Sequence, residues 1–387
     1  MRLVCLLGAA LLVACAPQLP PQPDTPWGAP RVIAEAPTAD APALLITTQQ
    51  TWLAWTQPLE GETRHMASDG QQNRILALRA WYPMRYSLLP AANGHAHWLW
   101  IDRSAEADEL RLHSALVAPE LVAQLGPITH STALTTSYAA LPLGDGRVRL
   151  VWSQGALGSE TLHTRLINAD GRPTFTAALN ANGMLPALTE TRDGVVWLYW
   201  VYDRSLWRGQ LRDDALHSVE HVEPLPALPL TEQIDALRVA HDAASTYVFW
   251  QVTRADGSSY ALLSVTDRAT GRHLPAAPLR LSVGDHPFDT TYNGGGAFTA
   301  APDGAAAAWL RPLLIDTDTL PAAAVWGGMT GVIYFRDGRL TGVQPLLRTG
   351  RLFDAPQLAS DDARHLTLVW SQPFSAQAAR LTLLTTR

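Results

Sequence analysis

Arg192-Asp193-Gly194-Val195-Val196-Trp197-Leu198-Tyr199-Trp200 joins a turn dipeptide to a strand that is apolar on both faces. Asp-Gly tolerates the positive φ of a tight hairpin turn. The β-branched and aromatic residues after it favour an extended chain. A strand in an open antiparallel sheet alternates polar and apolar side chains, because one face meets water. Residues 195–200 do not alternate, so protein must cover both faces of this strand.

The same grammar recurs along the chain, with copies ending at Trp55, Trp100, Trp152, Trp200, Trp250, Trp309 and Trp370, spaced 45 to 61 residues apart. Four copies carry the turn pair, as Asn93-Gly94, Asp145-Gly146, Asp193-Gly194 and Asp303-Gly304. An apolar stretch precedes each turn, as at 138–143 and 237–240, and an alternating strand follows each Trp, as at 109–115, 161–168, 260–266 and 379–385. Strand, turn, strand, loop, strand in units of about fifty residues is the pattern of a β-propeller blade. The pattern predicts an all-β chain, a seven-bladed β-propeller over 31–387, with six or eight blades as alternative counts. A β-sandwich or β-helix is the competing architecture. No long 3.6-residue period supports a helical fold. One Trp per blade, facing the adjacent blade, would contribute about 1.5–3 kcal/mol at each joint by buried area. The last unit lacks a fourth strand, and residues 31–35 are free to supply it, which closes the ring and removes an exposed edge.

The N-terminus carries an address. Met1-Arg2 is followed by an apolar run over 3–13, too short to span a bilayer, that ends in Leu12-Val13-Ala14-Cys15. This resembles a bacterial lipoprotein signal peptide with its lipobox. The resemblance implies removal of 1–14, lipidation of Cys15, and a lipid-anchored protein of the cell envelope on the periplasmic or extracytoplasmic face. Cys5 and Cys15 are the two cysteines, so the mature domain would keep no thiol for a disulfide or a metal. Residues 15–30 contain six prolines and read as a semi-extended tether.

Seventeen per cent charged residues and 47% hydrophobic residues mark a globular chain, and a net charge of −6 argues against a nucleic-acid partner. All 29 basic residues are arginine.

The repeats resemble those of the sialidase-like, bacterial-neuraminidase-repeat propellers; Pro356 to Gln372 fits that shape well. The Asp box, Ser-x-Asp-x-Gly-x-x-Trp, is missing from every unit, and the arginine triad and Tyr–Glu pair of sialidases match no motif here. The resemblance therefore implies architecture and no catalytic residue.

In a blade of this kind, the residues after each Trp lie on the face that carries the blade-to-blade connections. Asp102, Arg103, Gln154, Asp203, Arg204, Gln251, Arg311 and Gln372 are the candidate ligand-binding residues there. Asp102-Arg103-Ser104 and Asp203-Arg204-Ser205 repeat as a tripeptide. The segment 311–331 is the longest after any Trp, either a lid or partner contact or a decorated hairpin. Asp316 and Asp318 lack the further oxygen ligands of a calcium loop. His95 and His97 read as a surface pair on a hairpin rather than a zinc site, and the glycine run at 292–296 as a turn or bulge. No metal or cofactor is expected. The sequence predicts a monomeric, non-catalytic, lipid-anchored module that binds an envelope protein or a glycan. The rivals are a carbohydrate-active hydrolase or lyase and an envelope assembly scaffold.

Overall fold

The computed structural model describes residues 27–385 apart from 37–42, 47–50, 61, 70–71, 80–83, 104–108, 119–121, 130–133, 157, 192, 256–258, 279, 284–285, 290–295, 302–303, 315–325, 337–338, 350–356, 361–365 and 376–377. The leader and the tether up to residue 26 lie outside the described residues, as do Asp316, Asp318 and the glycine run before Gly296.

The described chain is all-β, with one 3₁₀ turn at Ala92–Gly94. It forms seven four-stranded antiparallel sheets and one separate two-stranded hairpin. Sheets are numbered here by the chain order of their Trp. In sheets 1 to 6 the four strands follow in sequence. In sheet 7 the order is Gln357–Ser360, Leu366–Ser375, Ala378–Thr385 and then Arg31–Ala36, so the N-terminal strand completes the last sheet as the sequence predicts. The first strand of each sheet lies against the first strand of the next, and that of sheet 7 lies against that of sheet 1. The extra hairpin, Arg280–Val283 with His286–Asp289, sits between sheets 5 and 6 and accounts for the wider Trp250 to Trp309 spacing. Three strands of eleven residues in sheet 6 account for the next wide spacing, and pairing up to Leu314 and Trp326 makes the two ends of segment 311–331 hairpin arms, the part between lying outside the described residues.

Each of the seven repeat tryptophans stands in the second strand of its own sheet. Where packing is described, each indole faces the preceding sheet. Trp100 packs on sheet 1 beside Trp52 and Ala54. Trp152 packs on Leu99 and Ile101 of sheet 2, Trp200 on Val151 and Leu179 of sheet 3, and Trp250 on Leu185 and Tyr199 of sheet 4. Trp55, in the first sheet, packs with Val369 and Leu381 of sheet 7, with Ile33 of the N-terminal strand against them. The second strands are buried on consecutive residues, from Ala96 to Asp102 in sheet 2, which is why the sequence does not alternate there.

The opposite face of the strand reaches forward. Three residues before Trp55 and Trp100, Trp52 Nε1 donates to the Gly94 carbonyl of sheet 2 at 3.1 Å, and His97 Nε2 pairs with the Gly146 carbonyl of sheet 3 at 3.0 Å. Arg149, the same distance before Trp152, pairs with Asp214 of sheet 4. His97 is therefore a buried tie between sheets, not surface decoration, because its ring replaces an indole at the equivalent position. Burial pushes its pKa below the ordinary imidazole value.

The Asp145-Gly146 hairpin is tighter in meaning than the dipeptide alone suggests. The Gly146 N–H donates to the Leu143 carbonyl at 3.0 Å, and the Leu143 N–H donates to the Arg147 carbonyl at 2.8 Å. Only the glycine takes positive φ, at 80°, which is a type I turn closed by a glycine bulge. A Cβ on Gly146 would also lie 2.9 Å from Ala92 N of the preceding sheet.

Candidate functional site

The residues after each Trp do not share one solvent-facing environment. In sheets 1, 2, 3, 5, 6 and 7 they continue the second strand instead of forming a loop. Trp152 Nε1 donates to Gln154 Oε1 at 2.9 Å, and Trp55 Nε1 donates to Gln57 Oε1 at 3.0 Å. Trp-Thr-Gln at 55–57 and Trp-Ser-Gln at 152–154 are thus indole caps, and Trp-Ser-Gln recurs at 370–372. Repetition of Gln two residues past Trp was the signal for this role. Asp102 is 2% exposed, accepts from the Arg103 N–H at 2.8 Å, and lies 3.5 Å from buried His65 Nε2. It belongs to the interior, whereas Arg103 is exposed. Asp203 and Arg204 are exposed on a two-residue turn, both with positive φ, and the Arg204 carbonyl accepts from Leu225 N–H on the link to sheet 5. Gln251 is half-buried in mid-strand, opposite Ala236 and Ala261. Arg311 and Gln372 stand opposite Met329 and Arg380, and their side chains, like that of Trp309, lie outside the described residues.

The expected common face does exist in the backbone. Loops after second strands meet the links between sheets through Gly155 N–H to Leu134 O, Gly183 N–H to Glu160 O, and Leu225 N–H to Arg204 O.

Two concave sites were not legible as motifs. The larger is a groove of about 540 Å³ between sheets 3 and 4. One wall is the last strand of sheet 3, Ala177–Asn182, and the other holds Asp214, Ala215, Leu216 and Val219. Trp200 and Trp207 form the floor, and Tyr202 is 44% exposed at one end. Trp207 is half-buried, opposite Trp200 across the strand pair, and its Nε1 donates to the Tyr202 carbonyl at 3.1 Å. Asn180 and Asn182 are exposed on the first wall. An amide offers both a donor and an acceptor, and an aromatic face accepts apolar C–H surface.

The smaller cavity, about 160 Å³, is lined by the first strands of sheets 2 to 5. Each of these strands has an irregularity in its first residues, at Met84/Ser87, Thr135/Ser137, Met184/Ala187 and Ile234/Ala236. At the first irregularity Arg85 has φ 55°, and its Nη2 reaches the Asp235 carbonyl of sheet 5 at 2.9 Å. Arg238 lines the same cavity. Tyr138 donates its hydroxyl into the cluster of the Arg85 carbonyl, Ser87 Oγ and the Leu99 carbonyl, and burial pushes its pKa up.

Among the described residues no three His, Cys, Asp or Glu side chains group as a metal site. No protein-family model matches the chain, and no curated protein matches it. Solved structures match in fold. Polysaccharide lyase Uly1 is 10% identical with a TM-score of 0.52, over 90% of this chain and 90% of that one. A PL25 ulvan lyase bound to -[GlcA(1-4)Rha3S]- is 8% identical with a TM-score of 0.50, over 90% of this chain and 94% of that one. At these identities the likeness is one of fold.

Proposed function

We propose that this chain is a seven-bladed β-propeller, anchored to a membrane of the cell envelope through a lipid on Cys15, that binds glycans without turning them over. The observation that carries the reading is the groove between sheets 3 and 4. Its volume of about 540 Å³ is that of an ordinary small-ligand site. Its floor and end are aromatic, its wall carries two amides, and its one carboxylate, Asp214, is engaged by Arg149. Ring faces suit the C–H face of a sugar, and amides suit its hydroxyls. A pair of free carboxylates, as glycoside hydrolysis usually requires, is not part of this lining. Two solved structures that share the fold are polysaccharide lyases, which agrees with a glycan partner.

The test is a glycan array on the mature chain, followed by titration of any hit against Tyr202→Ala and Asn180→Ala. Both variants are expected to weaken binding about tenfold or more, since each removes one contact at an exposed position. Shortening of the bound glycan on incubation would replace this reading with a carbohydrate-active enzyme. For the anchor, Cys15→Ser is expected to move the protein from the membrane to the soluble fraction.

A further inference from the structure

The small cavity among the first strands is lined by two arginines and, among the described residues, by no acid. Arg85 and Arg238 come from strands about 150 residues apart, yet both line one space of about 160 Å³. Each is satisfied only in part. Arg85 donates to the Asp235 carbonyl at 2.9 Å, and Arg238 donates to the Leu237 carbonyl at 3.1 Å. Neither side chain forms an ion pair among the described residues. Asp235, the acid whose charge acts on Arg85, already accepts from Thr253 Oγ1 and from Gln233 Nε2. A guanidinium has five N–H donors in a planar fork, so most of this capacity finds no partner among the described residues.

The arrangement is also held at a cost. Arg85 keeps a left-handed φ of 55°, which ordinary side chains avoid, and the Tyr138 hydroxyl fixes its carbonyl. Both side chains are exposed on the open side, yet surrounding protein lowers both below the ordinary arginine value; at Arg85 the Arg238 charge adds to this and the Asp235 charge opposes it.

We infer that this cavity is a binding site for a small oxyanion, a carboxylate, sulfate or phosphate group held between Arg85 and Arg238. Planar guanidinium forks match such oxygens in pairs. The volume is below that of a whole small-ligand pocket, so it takes one acidic group rather than a saccharide chain. The group arrives either as a free ion or as the acid substituent of a sugar. The site lies apart from the groove between sheets 3 and 4 and does not depend on it.

The experiment uses the mature chain at constant ionic strength. Sodium sulfate, phosphate and acetate are titrated against sodium chloride, and then glucuronic acid against glucose, with melting temperature and calorimetry as readouts. Sulfate stabilises many proteins by exclusion from their surface, so the informative quantity is the difference between wild type and variants. Arg238→Gln and Arg85→Asn are the variants, since Asn tolerates left-handed backbone. Specific binding to wild type that weakens about tenfold in each variant supports the site. Response to the inorganic anions identifies a free ion, and response to glucuronic acid alone identifies a sugar acid. Tyr202→Ala should leave this binding unchanged, which separates it from the groove. Equal responses in wild type, Arg238→Gln and Arg85→Asn, or none in wild type, would overturn it.

Discussion

Gln154 is a residue whose position suggests one role and whose contacts define another. It follows a buried Trp by two residues, as a rim residue would, yet it accepts the indole N–H of Trp152. A buried donor left without its partner costs about 1–3 kcal/mol. Gln154→Ala is therefore expected to lower stability by about that amount, read as an earlier urea midpoint at unchanged slope, with glycan affinity unaltered. Full stability together with weaker glycan binding would return Gln154 to the ligand-facing role. Asp102 carries the same lesson, since its carboxylate is consumed by the Arg103 N–H and sits beside His65 inside the protein. Sequence shows a polar residue within three positions after each Trp, but it does not show which way a half-buried strand turns that residue. Only the recurrence of Gln at one spacing hinted at a shared structural role.

At the scale of elements, the links between sheets are as constrained as the strands. Gly183 joins the last strand of sheet 3 to the first of sheet 4 with φ 150°, and a Cβ there would lie 2.5 Å from Trp200 Cδ1 and 2.7 Å from the Val201 carbonyl. Backbone and indole cannot both yield without disturbing the joint, so Gly183→Ala is expected to cost about 2–3 kcal/mol. Gly271 provides the control, with φ 66° but nothing within 4 Å of its Cβ position. Gly271→Ala should cost about 1 kcal/mol, the backbone penalty alone, and equal melting temperatures for the two variants would remove the steric argument. The N-terminal strand poses the complementary question. Arg31–Ala36 pairs along Ala379 to Leu383, and Ile33 packs against the cluster of Trp55, Val369 and Leu381. A chain lacking residues 31–36 leaves Ala378–Thr385 as an open edge next to that cluster. It is expected to melt several degrees lower and to aggregate with rising concentration, measured by light scattering. Unchanged melting and scattering would show the strand to be dispensable.

At the scale of the whole molecule, the sheets were legible because each is a local unit whose turn, strand and Trp sit within about fifty residues. The two cavities were not, because their walls come from different sheets; 138–143 and 237–240 read as apolar stretches, and only packing brings Arg85, Tyr138 and Arg238 together. The same packing seals imidazoles between sheets, and this sets how the molecule responds to acid. His113 stacks on Trp100 with ring centroids 5.5 Å apart, and burial first of all pushes its pKa down to about 4. His241 is likewise held at about 4, by burial and then by the charges of Arg268 and Arg208. The unfolded chain titrates near the ordinary value of about 6.5. Between those limits the unfolded state takes up protons that the native state refuses, so stability is complete above about pH 6.5 and declines as pH falls toward 4. Each fully shifted histidine contributes about 3 kcal/mol to that decline. Asp145, Asp193 and Asp267, whose pKa values hydrogen bonding in their turns holds below the ordinary carboxylate value, lose their contribution only at lower pH, so the two windows separate. Denaturant midpoints at pH 7.0 and 4.5 measure the histidine window, and His113→Phe keeps an aromatic ring against Trp100 while removing the proton site. The variant is expected to lose about 2–3 kcal/mol less than wild type between those pH values. Parallel losses in the two proteins would mean that His113 is protonated in the native sheet stack, and that the joint between Trp100 and its neighbours is wetter than its burial implies.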